Sequence, residues 1–93
     1  MKKVALIVLN NSTIPRLADT ATAQFRAGGW TVTRFGNYTV KTLSTAAYYD
    51  PQVAGAKAAA VALQKQFPKI KRVLARYSQL PSSPIVVVLT SDY

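Results

Sequence analysis

Residues 8–32, VLNNSTIPRLADTATAQFRAGGWTV, contain the end of an apolar strand, a polar turn, a helix and the start of a second strand. Leu17, Ala21 and Phe25 recur every four residues and form one apolar helical face. The pair Gly28-Gly29 predicts the helix end, because glycine tolerates the positive φ that is common there. The segment therefore predicts a β-α-β unit at the start of an α/β domain.

The polar turn Asn10-Asn11-Ser12-Thr13 has two interpretations. In the first, Ser12 or Thr13 caps the helix and Pro15 lies in its first turn, where a missing N–H has no effect. In the second, backbone N–H groups at the helix start and the side chains of all four residues bind an anionic ligand. The sequence leaves both open, and these four residues are the first candidate binding site.

Five strands in all are predicted from apolar runs or alternation. The runs 4–9 and 85–89 are continuous and rich in β-branched residues, which is typical of strands covered on both faces. Residues 30–38 alternate: Trp30, Val32 and Arg34 are expected on one face, and Thr31, Thr33 and Phe35 on the other. Shorter strands are expected at 45–49 and 72–76.

A second helix is expected to begin at Asp50-Pro51, with Asp50 as the cap and Pro51 at the first helical position. Its apolar face has helical spacing up to the stop at Pro68, and comprises Val53, Ala56, Ala60, Leu63 and Phe67.

The predicted order is therefore β-α-β-β-α-β-β in one domain spanning residues 1–93. Right-handed crossovers place both helices on one face of the sheet. We expect a two-layer α/β sandwich, ferredoxin-like or similar, with one mixed sheet of four or five strands.

The composition argues against catalysis. The 93 residues include no histidine, cysteine or glutamate, and the acids are Asp19, Asp50 and Asp92. A nucleophile would lack its usual base, and the groups that bind zinc or calcium are scarce. No phosphate-binding glycine motif occurs. The sequence therefore predicts a protein that is not an enzyme and that holds no metal or other cofactor.

The net charge of +9 favours anionic partners such as nucleic acid, acidic lipid or anionic polysaccharide. Residues 57–76 contain no acid, and they form either an ordinary solvated surface or a basic binding patch. The patch comprises Lys57, Lys65, Lys69, Lys71, Arg72 and Arg76.

Tyrosines offer a further candidate surface. Tyr48 and Tyr49 should lie on opposite faces of their strand, so that one packs in the core. Tyr38 and Tyr49 are the candidates for stacking on sugars or bases, unless they are ordinary half-buried tyrosines. Trp30 is expected in the core.

Three segments in order resemble the LytR C-terminal domain family: VALIVLNNSTIPRLADTATAQFRAGGWTVTRFGNY (4–38), AAYYDPQVAGAKAAAVAL (46–63) and PIVVVLTSDY (84–93). The family pattern has a V-L-N-G-[ST] strand end, a YY-x-P-G turn and a terminal V-V-V-L-G-x-D-Y. Asn11, Arg16, Gln52 and Thr90 stand where the family usually has glycine, which implies altered turns.

The resemblance implies an extracytoplasmic domain of actinobacteria that is accessory to cell-wall assembly. Such a domain follows a LytR-CpsA-Psr phosphotransferase domain or stands behind a membrane anchor. The implied partners are peptidoglycan or an anionic wall polymer, and envelope-assembly proteins of the LytR-CpsA-Psr type. The implied location is the extracytoplasmic side of the cytoplasmic membrane.

The apolar run 4–9 is shorter than the roughly 7–15 residues of a signal-peptide core, and no run approaches the roughly 20 of a membrane helix. We therefore expect this domain to come from a longer protein whose anchor lies outside this chain. The leading hypothesis is a non-catalytic binding or scaffolding domain of the envelope. The alternative is a nucleic-acid-binding domain, which the positive charge alone supports. The sequence contains neither a helix-turn-helix nor an RNP1-type motif.

Overall fold

The computed structural model describes residues 4–11, 14, 16–37, 45–76 and 83–90. The predicted fold class and element order are confirmed. The elements are β1 (Ala5–Asn10), α1 (Leu17–Ala27), β2 (Thr31–Asn37), β3 (Ala46–Tyr49), α2 (Ala56–Gln66), β4 (Arg72–Ala75) and β5 (Ile85–Leu89).

The described strands form one mixed sheet in the order β2-β1-β5-β3-β4. Strand β1 is parallel to both β2 and β5, whereas β3 is parallel to β4 and antiparallel to β5. Two β-α-β units thus flank β5, and they run in opposite directions. The second unit differs from the first in strand direction, and its second strand lies on the other side of its first strand. Because both features are reversed, right-handed crossovers place the two helices on the same face of the sheet.

The main core lies between the helices and this face of the sheet. It combines Leu6 and Val8 of β1 with Phe25 of α1 and Leu63 of α2. The Phe25 ring packs edge-on against Phe67, with ring centroids 4.8 Å apart and an interplanar angle of 71°. One apolar cluster therefore joins both helices to the sheet.

The opposite face of the sheet is also buried at its centre. Its cluster consists of alternate strand residues: Ile7, Leu9, Ala46, Tyr48, Val86 and Val88. Burial on both faces explains why β1 and β5 are continuous apolar runs rather than alternating ones.

Strand β2 contains a bulge that the sequence did not predict. Leu6 pairs with Val32 but Ile7 pairs with Arg34, so Thr33 is an extra residue. Its Oγ1 donates a hydrogen bond to the Leu6 carbonyl at 3.2 Å. The predicted alternation is therefore wrong beyond Val32. Arg34 lies on the face opposite the helices, and Phe35, paired with Val8, lies on the helical side.

Both helices begin later than predicted. The residue before α1 is Arg16, which adopts a left-handed conformation (φ 62°) and forms no side-chain cap. This break in the helical backbone contradicts a helix capped by Ser12 or Thr13 with Pro15 in its first turn, and these three residues lie outside the described ones. At α2 the corresponding left-handed residue is Gly55.

Asp50-Pro51 therefore starts a turn and not a helix. The Gln52 N–H donates to Asp50 Oδ1 at 2.9 Å, which is the side-chain bond of an Asx turn. The chain then passes through Gly55 before α2 begins at Ala56.

A hydrogen-bonded link joins the carboxyl ends of the two helices. Trp30 is in the core, as predicted, with 3% of its surface exposed. Its Nε1 donates to Gln66 Oε1 at 2.8 Å, and Gln66 Nε2 donates to the Gly28 carbonyl at 3.3 Å. Gln66 thus satisfies a buried indole N–H and fixes α2 against the end of α1.

Gln66→Ala is expected to lower the free energy of unfolding by about 1–3 kcal/mol, because the Trp30 N–H loses its acceptor. Chemical denaturation monitored by the fluorescence of Trp30 would measure the change. Gln64→Ala, on the same helix, should have a much smaller effect. Equal stability of the Gln66→Ala and wild-type proteins would contradict this role of Gln66.

Gly55→Ala is expected to destabilise the protein by about 1–2 kcal/mol, because a Cβ is strained at φ 81°. Gly36→Ala is the matched control: a Cβ at either position meets nothing within 4 Å, and Gly36 does not have a positive φ. Thermal unfolding of the two variants separates backbone strain from crowding. A similar loss in both would show that the left-handed start of α2 is not the cause.

Candidate functional site

One cleft follows α2 and has a volume of about 850 Å³. We call it the α2 groove. The strand end and turn before the helix line one part of it, and exposed or half-buried helix residues line the rest. Its lining comprises Tyr49, Asp50, Pro51, Val53, Ala54, Gly55, Lys57, Ala58, Val61, Ala62 and Lys65.

The α2 groove combines an apolar floor with positive charge. Lys57, Val61 and Lys65 are spaced by four residues, so they lie along one side of the helix. At 1.5 Å rise per residue the two lysines are about 12 Å apart along the axis. The Lys57 ammonium lies 6.0 Å from the centroid of the Tyr49 ring. Asp50 is the one acidic side chain of the lining, so the charged groups there sum to a positive charge.

The two adjacent tyrosines take opposite faces, as predicted. Tyr48 is 5% exposed and belongs to the cluster on the face without the helices. Tyr49 is half-buried, packs against the main core and lines the α2 groove. Tyr49 is therefore positioned to contact a bound molecule. Tyr38 lies outside the described residues.

The structure separates the six residues of the predicted basic patch. Lys57 and Lys65 both line the α2 groove. Lys69 lines a smaller cavity beyond the end of α2, of about 330 Å³, and Lys71 is exposed just before β4. The four lysines of the patch thus lie on α2 and on the segment between α2 and β4.

The two arginines of the patch do not line the α2 groove. Arg72 pairs with Ala46 and so belongs to the face opposite the helices. Arg76 Nε lies 4.0 Å from Asp50 Oδ2. Asp50, which lies outside the segment 57–76, thus partly balances the positive charge of the patch.

A third cavity lies at the carboxyl ends of β1 and β2, beside the first turn of α1, and has a volume of about 240 Å³. We call it the strand-end cleft. Its lining is polar and apolar in equal measure and comprises Asn10, Arg16, Ala18, Asp19, Phe35, Gly36 and Asn37.

The predicted polar turn contributes to this cleft only in part. Asn10 pairs in register with Asn37, and its Nδ2 donates to the Ile14 carbonyl at 2.9 Å. The Asn11 N–H donates to the Leu89 carbonyl at 2.7 Å, which extends the sheet by one bond. Ser12 and Thr13 lie outside the described residues. Asn10 is thus the member of the turn that the structure places in a cleft.

Four lining residues with polar or aromatic side chains were not among the predicted site residues: Arg16, Asp19, Phe35 and Asn37. The position of Asn37, near the end of a predicted strand, is a signal that could have identified it. Phe35 reaches the cleft through the Thr33 bulge, which depends on pairing with β1 and has no local signal.

In the described part of the chain, no three His, Cys, Asp or Glu side chains come together as metal ligands would. Within the same residues, neither helix has the length and hydropathy needed to cross a membrane.

Residues 3–93 match the model of a family described as LytR cell envelope-related transcriptional attenuator. Among solved structures, the chain is similar to the solution structure of the C-terminal domain of RV0431, with 26% sequence identity and a TM-score of 0.66. The similarity covers 96% of this chain and 73% of that one. No curated protein matches the sequence.

Proposed function

Because the chain belongs to the LytR cell envelope-related transcriptional attenuator family, we propose that it is a non-catalytic binding domain of the cell envelope. Its ligand is an anionic wall glycopolymer, which occupies the α2 groove. The domain acts on the extracytoplasmic side of the cytoplasmic membrane, attached through an anchor outside this chain. By holding the polymer there it supports cell-wall assembly.

The observation that carries this proposal is the lining of the α2 groove. Lys57 and Lys65 lie beside an apolar floor, and the Tyr49 ring is 6.0 Å from the Lys57 ammonium. A glycopolymer has the matching chemistry, because its sugar rings present apolar C–H faces and its acidic groups repeat along the chain. The volume of about 850 Å³ falls within the usual range for ligand clefts.

Repetition compensates for the weakness of each contact. A lysine near an anionic surface contributes on the order of 1 kcal/mol, and salt screens this attraction. A polymer offers many equivalent segments, so a dissociated segment is readily replaced by its neighbour. Binding of this kind retains the domain at the wall and still allows it to move along it.

The side chains around the groove also favour binding over catalysis. Hydrolysis of a glycosidic bond usually requires two carboxyl groups, one on each side of the bond. The groove lining supplies Asp50 alone, and Arg76 lies 4.0 Å from that carboxylate. Histidine, cysteine and glutamate, three of the residues that most often transfer protons in enzymes, are absent from the chain.

We expect the domain to co-sediment with purified cell wall at about 0.1 M salt and to be released as salt rises to about 1 M, where the screening length falls from about 10 Å to about 3 Å. Wall stripped of its anionic polymer should retain much less protein. Replacing both groove lysines (Lys57→Gln with Lys65→Gln) should weaken binding about tenfold or more.

The matched control is Arg34→Gln with Lys69→Gln, which removes the same charge from exposed positions outside the groove. It should retain most of the binding. Equal losses in the two double variants would assign the effect to net charge and overturn the role of the groove. Failure to bind wall even at low salt would overturn polymer binding and favour docking to envelope-assembly proteins. Tighter binding to duplex DNA at matched ionic strength would favour the nucleic-acid alternative.

A further inference from the structure

We propose that the strand-end cleft is a second binding site, separate from the α2 groove, that takes one uncharged pyranose ring. The cleft lies where β1 and β2, a parallel pair joined by α1, reach their carboxyl ends. In open α/β sheets, ligands are bound beyond the carboxyl ends of the strands. The inference does not depend on the proposed function of the groove.

The size of the cleft limits the ligand. Its volume of about 240 Å³ lies just below the usual range for clefts that bind drug-sized molecules. This accommodates a single sugar ring and not a folded peptide or a dinucleotide. The α2 groove, at about 850 Å³, is more than three times larger and suits an extended polymer.

The charge of the cleft indicates a neutral ligand. Among the described lining residues Arg16 supplies one positive charge and Asp19 one negative charge. This balance is unusual in a chain with twelve basic and three acidic residues. A polyanion would gain little there, whereas a hydroxyl group can accept from the guanidinium and donate to the carboxylate.

Two carboxamides extend this hydrogen-bonding capacity. Asn10 and Asn37 pair in register on neighbouring strands, so their side chains lie next to each other at the sheet edge. The exposed Asn37 carboxamide carries both donors and an acceptor, which is the combination that sugar hydroxyls require. The bond from Asn10 Nδ2 to the Ile14 carbonyl holds the Asn10 side chain in place before a ligand arrives.

An exposed aromatic ring completes the site. Phe35 lines the cleft and leaves 44% of its surface exposed, which makes it one of three large apolar residues so exposed in the described chain. Ile14, whose carbonyl holds Asn10, is another, at 42%. A phenyl ring beside convergent polar groups can stack on the C–H face of a pyranose while its hydroxyls are bonded.

The test is a titration of the ¹⁵N-labelled chain, followed by NMR, with methyl glucoside, methyl mannoside and N-acetylglucosamine. Glucuronate, which has a similar ring and a negative charge, is the matched comparison. At least one neutral sugar should shift the amide signals of Asn10, Asp19 and residues 35–37. The Kd should be the same at about 0.1 M and about 1 M salt, because the interaction is uncharged.

Phe35→Ala and Asn37→Ala alter exposed positions and should each weaken binding about tenfold or more with unchanged thermal unfolding. Lys57→Gln with Lys65→Gln should leave the sugar titration unchanged, so the two sites are tested independently. The proposal is overturned if none of the neutral sugars shifts these signals at about 10 mM, where a site with a Kd near 1 mM is about 90% occupied. Tighter, salt-sensitive binding of glucuronate would overturn it equally.

Discussion

Strand β5 holds the two halves of this protein together. It pairs in parallel with β1 and antiparallel with β3, and all five of its side chains are buried. Each of the two β-α-β units is local in sequence, but β5 joins them into one sheet. Burial on both faces requires a strand that is apolar at every position, which IVVVL supplies. The shared core of α1 and α2 follows from this junction, because it aligns both helices on one face.

The opposite directions of the two units also determine where the clefts lie. Each cleft begins at the carboxyl end of the first strand of its unit, at Asn10 in one case and at Tyr49 in the other. Because β1 and β3 run in opposite directions on the two sides of β5, their carboxyl ends lie at opposite ends of the strands of the sheet. The two clefts differ in charge as well as in position. One fold thereby presents a positive, largely apolar groove and a neutral polar cleft without interference between them.

The sequence predicted the features that depend on local pattern. The apolar runs of β1 and β5 and the helical spacing of Leu17, Ala21 and Phe25 were sufficient for the element order and the fold class. The helix starts were wrong because Asp50-Pro51 is equally typical of a turn. The residues that actually precede the helices, Arg16 and Gly55, are distinguished by a left-handed backbone that no simple pattern reveals.

The site residues divide in the same way. Asn10 was predicted because it follows the apolar run 4–9, and Lys57 and Lys65 because the segment is basic; these three residues line the two clefts. The face of Phe35 was missed because a bulge at Thr33 reverses the alternation, and a bulge is defined by two strands together. The ion pair of Arg76 with Asp50 was missed because the two residues meet only through the pairing of β3 with β4.

The central place of β5 has a consequence for biosynthesis. Among the described elements, the strand at the middle of the sheet is the last to emerge from the ribosome. Until it does, β1 and β3 each present an open hydrogen-bonding edge, and such edges readily pair with other chains. A nascent chain halted before Ile85 would therefore be a substrate for chaperones or for aggregation and not a smaller version of the domain.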